Sequence, residues 1–148
     1  MARFNNITAI KGIFALVILT HHYKPLADIL QMDASGLMAC FFALSGFGLT
    51  LGYKDRLLNG GCNSKIFFIN RASKLFPLQW LVLFLLYILS LFGIANIVSY
   101  WAFPFQMTLT QSFIPLWEIN YTLNVPSWFI SDLLFFYLAY PFLLKLYF

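Results

Sequence analysis

The chain has 148 residues, of which 61% are hydrophobic and 9% charged, whereas a domain that must cover itself with water carries roughly 45–50% apolar and about 25% charged residues. That balance excludes a soluble enzyme, a disordered tail and a nucleic-acid binder. The formal charge of +4 arises from nine basic against five acidic residues, a scarcity of acids that points to charge placement in loops between membrane spans and not to a phosphate-binding footprint. The expected fold class is all-α, a polytopic transmembrane helical bundle embedded in the lipid bilayer.

A span needs about 20 mostly apolar residues. The first candidate, Ile7 to Tyr23, has an uninterrupted apolar centre only from Gly12 to Thr20, which covers about 13 Å at 1.5 Å per residue. If it crosses the membrane, Lys11 and His21-His22 sit within the membrane's thickness, unless the bilayer thins or Lys11 snorkels outward. A cleaved signal peptide is the competing reading, but no small-x-small site follows His22; Tyr23-Lys24-Pro25 comes next. The second candidate is the charge-free run between Asp33 and Lys54. The third runs from Leu78 to Ile94, opened by Pro77. Residues 97–117 hold Trp101, Pro104, Gln106, Thr108, Thr110, Gln111 and Pro115, a composition expected of an interfacial or re-entrant piece, with a full span as the alternative. The last apolar run is Trp128 to Tyr147, interrupted near its start by Asp132.

Loop charges orient the chain. Arg3 and Lys11 precede the first span, and Lys54, Arg56, Lys65, Arg71 and Lys74 stand against Asp55 alone in the loop after the second. Four spans with both termini in the cytoplasm satisfy the excess of positive charge on the inner side, which implies a multi-pass protein of the plasma or inner membrane. The whole chain reads as one membrane domain.

Few residues can carry chemistry. Lys11 and His22 are eleven apart, about 1100° at 100° per residue, so they project from nearly the same helix face with a rise difference of about 16 Å. A neutral imidazole can take a proton from a hydroxyl near pH 7 or briefly carry an acyl group itself, two roles that spacing does not separate, and ionisable residues inside a span are a functional hypothesis by default. His21 points about 100° away. The plainer reading of these residues is a snorkelling lysine and an interfacial histidine pair. Arg71 and Lys74, three apart ahead of Pro77, share a face; if the helix begins near Arg71 they flank an N-terminus suited to anions, and otherwise they are ordinary flanking cations. Gly48 and Gly52 form a small-xxx-small pair that admits a second helix, and Ser45 beside them is a packing residue before it is a nucleophile. Asp132 either orients His22, contacts a substrate hydroxyl, or sits in interfacial water. Cys40 and Cys62 form neither a disulfide framework nor a metal-ligand spacing with histidine, and no metal is expected.

Four segments, in order, resemble the acyltransferase 3 family of integral membrane acyltransferases. Ile10-Lys-Gly-Ile-Phe-Ala-Leu-Val-Ile-Leu-Thr-His-His22 is similar to its opening helix, a basic residue separated from a histidine by ten others. Phe41-Phe-Ala-Leu-Ser-Gly-Phe-Gly-Leu49 resembles its Ser-Gly-Phe helix, Asn70-Arg-Ala-Ser-Lys-Leu-Phe-Pro77 its basic, proline-terminated entry to a third helix, and Ser127-Trp-Phe-Ile-Ser-Asp-Leu-Leu-Phe-Phe-Tyr-Leu-Ala-Tyr-Pro141 its tryptophan-to-proline segment. The resemblance implies transfer of an acyl group, acetyl from acetyl-CoA in many members, to a hydroxyl of a sugar, cell-surface polysaccharide or lipid-linked acceptor. It assigns function to Lys11 and His22, donor binding to Arg71 and Lys74 with help from Lys11, and a site position to Trp128. Relatives place a glutamate five residues after that tryptophan; here Leu133 stands there, with Asp132 one position earlier. The resemblance also implies a membrane body larger than this chain, completed by further helices or by a homo-oligomer, so that an inactive truncated fragment is one alternative. A transporter or channel subunit, with Lys and His lining a polar path, is another.

Overall fold

A computed structural model describes residues 2–22, 34–94 and 101–148. The architecture is all-helical, with no strand among the described residues, and the chain divides into two compact units, Met1–Asn59 and Gly60–Phe148.

In the first unit, α1 (Ala2–His22) packs along α2 (Ala34–Leu58). The 21 residues of α1 give a rod of about 31 Å, but its apolar stretch is only Ala9–Ile18, as the short uninterrupted centre implied. Gly36–Leu58 in α2 is long and apolar enough to cross a bilayer. Large side chains such as Ile13, Leu16, Phe47 and Leu51 stand exposed, which an aqueous surface would penalise and hydrocarbon does not. The inward face of α2 is marked by buried Ser45 and Leu49, four residues apart and therefore neighbours on one side.

The second unit is built on α3 (Ser64–Leu91) and α6 (Ser127–Tyr147), both of spanning length and hydropathy. Asn63 caps α3, its side-chain oxygen accepting from the Lys65 amide at 3.0 Å. At the far end Gly93 takes φ +69°, Ile94 N–H donates to Leu89 O and Gly93 N–H to Ser90 O, the paired bonds of a Schellman stop. The expected start of this span at Leu78 is therefore corrected. The helix begins fourteen residues earlier and runs through Pro77, because Lys65, Arg71 and Lys74 are sound helix formers and a proline deletes one amide donor without obliging the helix to stop. At 28 residues α3 is about 42 Å long, exceeding a hydrocarbon core of about 30 Å; the charged residues occupy its first eleven positions and the uncharged remainder suits the bilayer.

Between these helices lie α4 (Ala102–Thr108), a 3₁₀ turn (Gln111–Phe113) and α5 (Trp117–Asn120). In the described part of 97–117 no helix exceeds seven residues, so the alternative of a full span there is set aside, and the described residues hold three helices of spanning length plus the shorter apolar α1. Leu109 closes α4 in the left-handed conformation, φ 55°. It is wholly buried and forms a cluster with Ala72 of α3 and Leu134 of α6, surrounded by Phe68, Leu75, Phe76 and Ile130. This cluster docks the short segment against both long helices.

Candidate active site

Lys11 lies near the middle of α1 and is half-buried. Its side chain does not run outward. A methyl group added at Gly48 would come within 3.3 Å of the Lys11 Nζ and 3.9 Å of Ile7 Cγ2, so the ammonium occupies the seam between α1 and α2, over a residue that has no side chain. The amine is turned to its neighbouring helix. α1 is continuous from Lys11 to its last residue, His22, so the backbone carries the two positions in the helical phase expected of them. The side chains of His21 and His22 lie outside the described residues.

The second helix requires one correction. Gly48 and Gly52 were expected to act as a pair admitting a second helix. Among the described residues Gly48 does so, meeting Lys11 and Ile7, and nothing among them comes within 4 Å of a methyl built at Gly52 or at Gly46. Ser45 is buried on the same side of α2, one turn before Gly48.

In the second unit Arg71 and Lys74 are both on α3, but the anion-binding N-terminus expected of them is absent. The helix starts at Ser64, so the backbone amides around Arg71 already serve the helix and cannot be offered to a ligand. What the two residues provide is side-chain charge. Lys74 is exposed; Arg71 is half-buried, with its guanidinium carbon 6.0 Å from the centre of the Tyr137 ring, within cation–π range.

Trp128 is the second residue of α6. Its ring meets Phe129 edge-on at 6.2 Å and its carbonyl accepts from Ser112 Oγ at 2.9 Å. Asp132, one turn later and partly buried, lies within hydrogen-bonding reach of the same Ser112 side chain. The amide of Ser112 in turn donates to Ser131 Oγ at 3.2 Å. Ser112 thus ties the 3₁₀ turn to the first two turns of α6. The suggested pairing of Asp132 with His22 falls outside the described side chains.

How the polar residues of this unit combine is not legible in their spacing. Gln79, Gln106, Gln111, Ser127 and Ser131 are almost completely buried. Gln79 Nε2 donates to Gln106 Oε1 at 3.3 Å and to Gln106 O at 3.2 Å, while Gln79 Oε1 accepts from Asn124 Nδ2 at 2.9 Å. Gln106 Nε2 reaches Thr122 O at 3.1 Å. Ser127 Oγ is 2.6 Å from both Gln106 Oε1 and Asn124 O and accepts from Gln111 Nε2 at 2.9 Å. Ser131 Oγ donates to Leu109 O at 2.8 Å. The result is a polar ladder that clips residues 106–131 to α3. Its far end is open: Gln111 Oε1 is buried without a donor. The available signal was a glutamine in a spanning helix together with two more in an apolar stretch, since buried amides require partners; their pairing depends on the fold. A separate cavity of about 280 Å³ lies among Trp80, Leu83, Phe84, Tyr87, Phe103 and Met107. Its lining is almost wholly apolar.

These features define a helical membrane protein with an ammonium set into its first helix pair and a hydrogen-bonded polar clip in its second unit. Residues 4–148 match the model of the acyltransferase 3 family, an acyltransferase domain, and the chain belongs to that family. No curated protein and no solved structure matches it.

Proposed function

We propose that this membrane acyltransferase moves an acetyl group from a CoA thioester to a hydroxyl of a sugar or cell-surface polysaccharide. The family match over 4–148 supports the reaction class. The observation that supports the residue assignment is the Lys11 ammonium held against Gly48 in the α1–α2 seam, because an ionisable residue within a membrane helix pair marks a functional site by default. In this reading His22 accepts the proton of the acceptor hydroxyl. The hydroxyl oxygen forms the new bond to the acyl carbon, the carbon–sulfur bond breaks, and the thiolate leaves with the electron pair. Lys11, about 16 Å of rise from His22 on the same helix face, fixes the donor so that its thioester reaches the imidazole. Arg71 and Lys74 fit the donor's phosphates by charge: one guanidinium steadied on Tyr137 and one exposed ammonium on the same stretch of α3. The excess of cations between Lys54 and Lys74 favours a cytoplasmic N-terminus in the plasma or inner membrane.

The test is transfer of labelled acetyl from acetyl-CoA to acceptor in membranes containing His22→Ala or His21→Ala. Loss of a general base lowers the rate by about 10²–10⁴. That loss is expected for His22→Ala, with His21→Ala close to the parent. Equal losses in both, or no loss in the first, overturn the assignment.

A further inference from the structure

We infer that Gly48 is a positioning residue: its missing side chain is the socket that holds the Lys11 ammonium, and this role, not helix packing in general, is what the glycine is needed for. The inference rests on the proposed role of Lys11. It is carried by a contrast within one helix. Three glycines, Gly46, Gly48 and Gly52, lie within two turns of α2. A methyl on Gly46 or Gly52 would meet nothing within 4 Å among the described residues, whereas on Gly48 it would stand 3.3 Å from Lys11 Nζ. That separation is tighter than ordinary van der Waals contact. Since the atom it meets is the tip of a flexible side chain, the helix pair has no need to part; the ammonium moves instead. Ile7 Cγ2, 3.9 Å away, already bounds the same socket. The displacement is therefore forced on the amine and is channelled along the seam. Ser45 and Leu49 are buried on the same side of α2, so this face of the helix is the one turned inward. Alanine is also a better helix former than glycine, so none of the three substitutions weakens α2 itself.

The experiment compares Gly46→Ala, Gly48→Ala and Gly52→Ala in the full chain in membranes, with two readouts. The first is the rate of Lys11 acetylation by trace acetic anhydride across a pH series, read by mass spectrometry; it reports the amine's surroundings and needs no activity. The second is kcat and KM for acetyl transfer from acetyl-CoA. Gly48→Ala is expected to change the Lys11 labelling rate severalfold and shift its pH midpoint, and to lower kcat severalfold more than it changes KM. Gly46→Ala and Gly52→Ala should match the parent in both readouts. Labelling of Lys11 that is unchanged in Gly48→Ala, or changed equally in all three, overturns the inference. Altered labelling with transfer intact leaves the socket standing and removes Lys11 from the reaction, so failure of the inference and failure of the proposed function give different results.

Discussion

In residues 60–148, Gln79, Gln106, Gln111, Ser127 and Ser131 are withdrawn from solvent and every one is joined by hydrogen bonds to a neighbour. In the first unit the α1–α2 seam receives a charged amine instead, set against a glycine backbone. The two arrangements belong to different kinds of design. Neutral amides that satisfy one another recover the cost of burial and pin a backbone segment that could not otherwise lie among apolar helices. A lysine set into a membrane helix pair brings a net charge, whose desolvation costs more than that of a neutral amide. Polarity in the second unit is neutral and self-paired; in the first it is ionic.

Substitutions of opposite sign sharpen that contrast. The largest effect is expected at Gln106, which accepts from Gln79 and Ser127 and donates to Thr122 O. Interhelical bonds in membranes contribute about 0.6 kcal/mol on average and up to about 1.7, so Gln106→Leu should destabilise by about 2–4 kcal/mol, measured by thermal or denaturant unfolding in detergent. Lys11→Met should move the other way. On insertion scales a lysine at a helix centre costs about 2.5–3.5 kcal/mol, so the variant should insert or resist unfolding better by about 2 kcal/mol while losing acetyl transfer. A destabilised Lys11→Met would erase the distinction between the units. The smallest effect is expected for Gln111→Met, because Gln111 Oε1 has no donor to lose and only the bond to Ser127 disappears: about 0.6–1 kcal/mol. A loss equal to that of Gln106→Leu would mean that the ladder has no hub.

Much of the fold is legible in the sequence because hydrocarbon imposes a simple rule on charge spacing. The charge-free run after Asp33 opens α2, which continues past Lys54 to Leu58, and the run from Trp128 to Tyr147 is α6 to within a residue. The start of α3 was misplaced for a physical reason. Charge marks the edge of the bilayer, whereas helices end where caps and backbone geometry end them, and Asn63 does so well before Arg71. The polar residues of 97–117 correctly excluded a plain span, yet their composition could not show that Gln106 finds Gln79 across twenty-seven positions. In the first unit, helical phase placed Lys11 and His22 on one face of α1. Which neighbour the amine meets, and that Gly48 and not Gly52 makes room for it, depends on how α1 lies on α2, and no local pattern encodes that.

Leu109 carries a consequence for how the protein is made. A leucine in the left-handed region costs roughly 1–2 kcal/mol, and here the conformation is held by Ala72 from the helix before it and by Leu134 and the Ser131 hydroxyl from the helix after it. The bend is therefore fully held only once α6 has been synthesised, and during biogenesis residues 101–126 settle when Ser127–Tyr147 arrives to close over them.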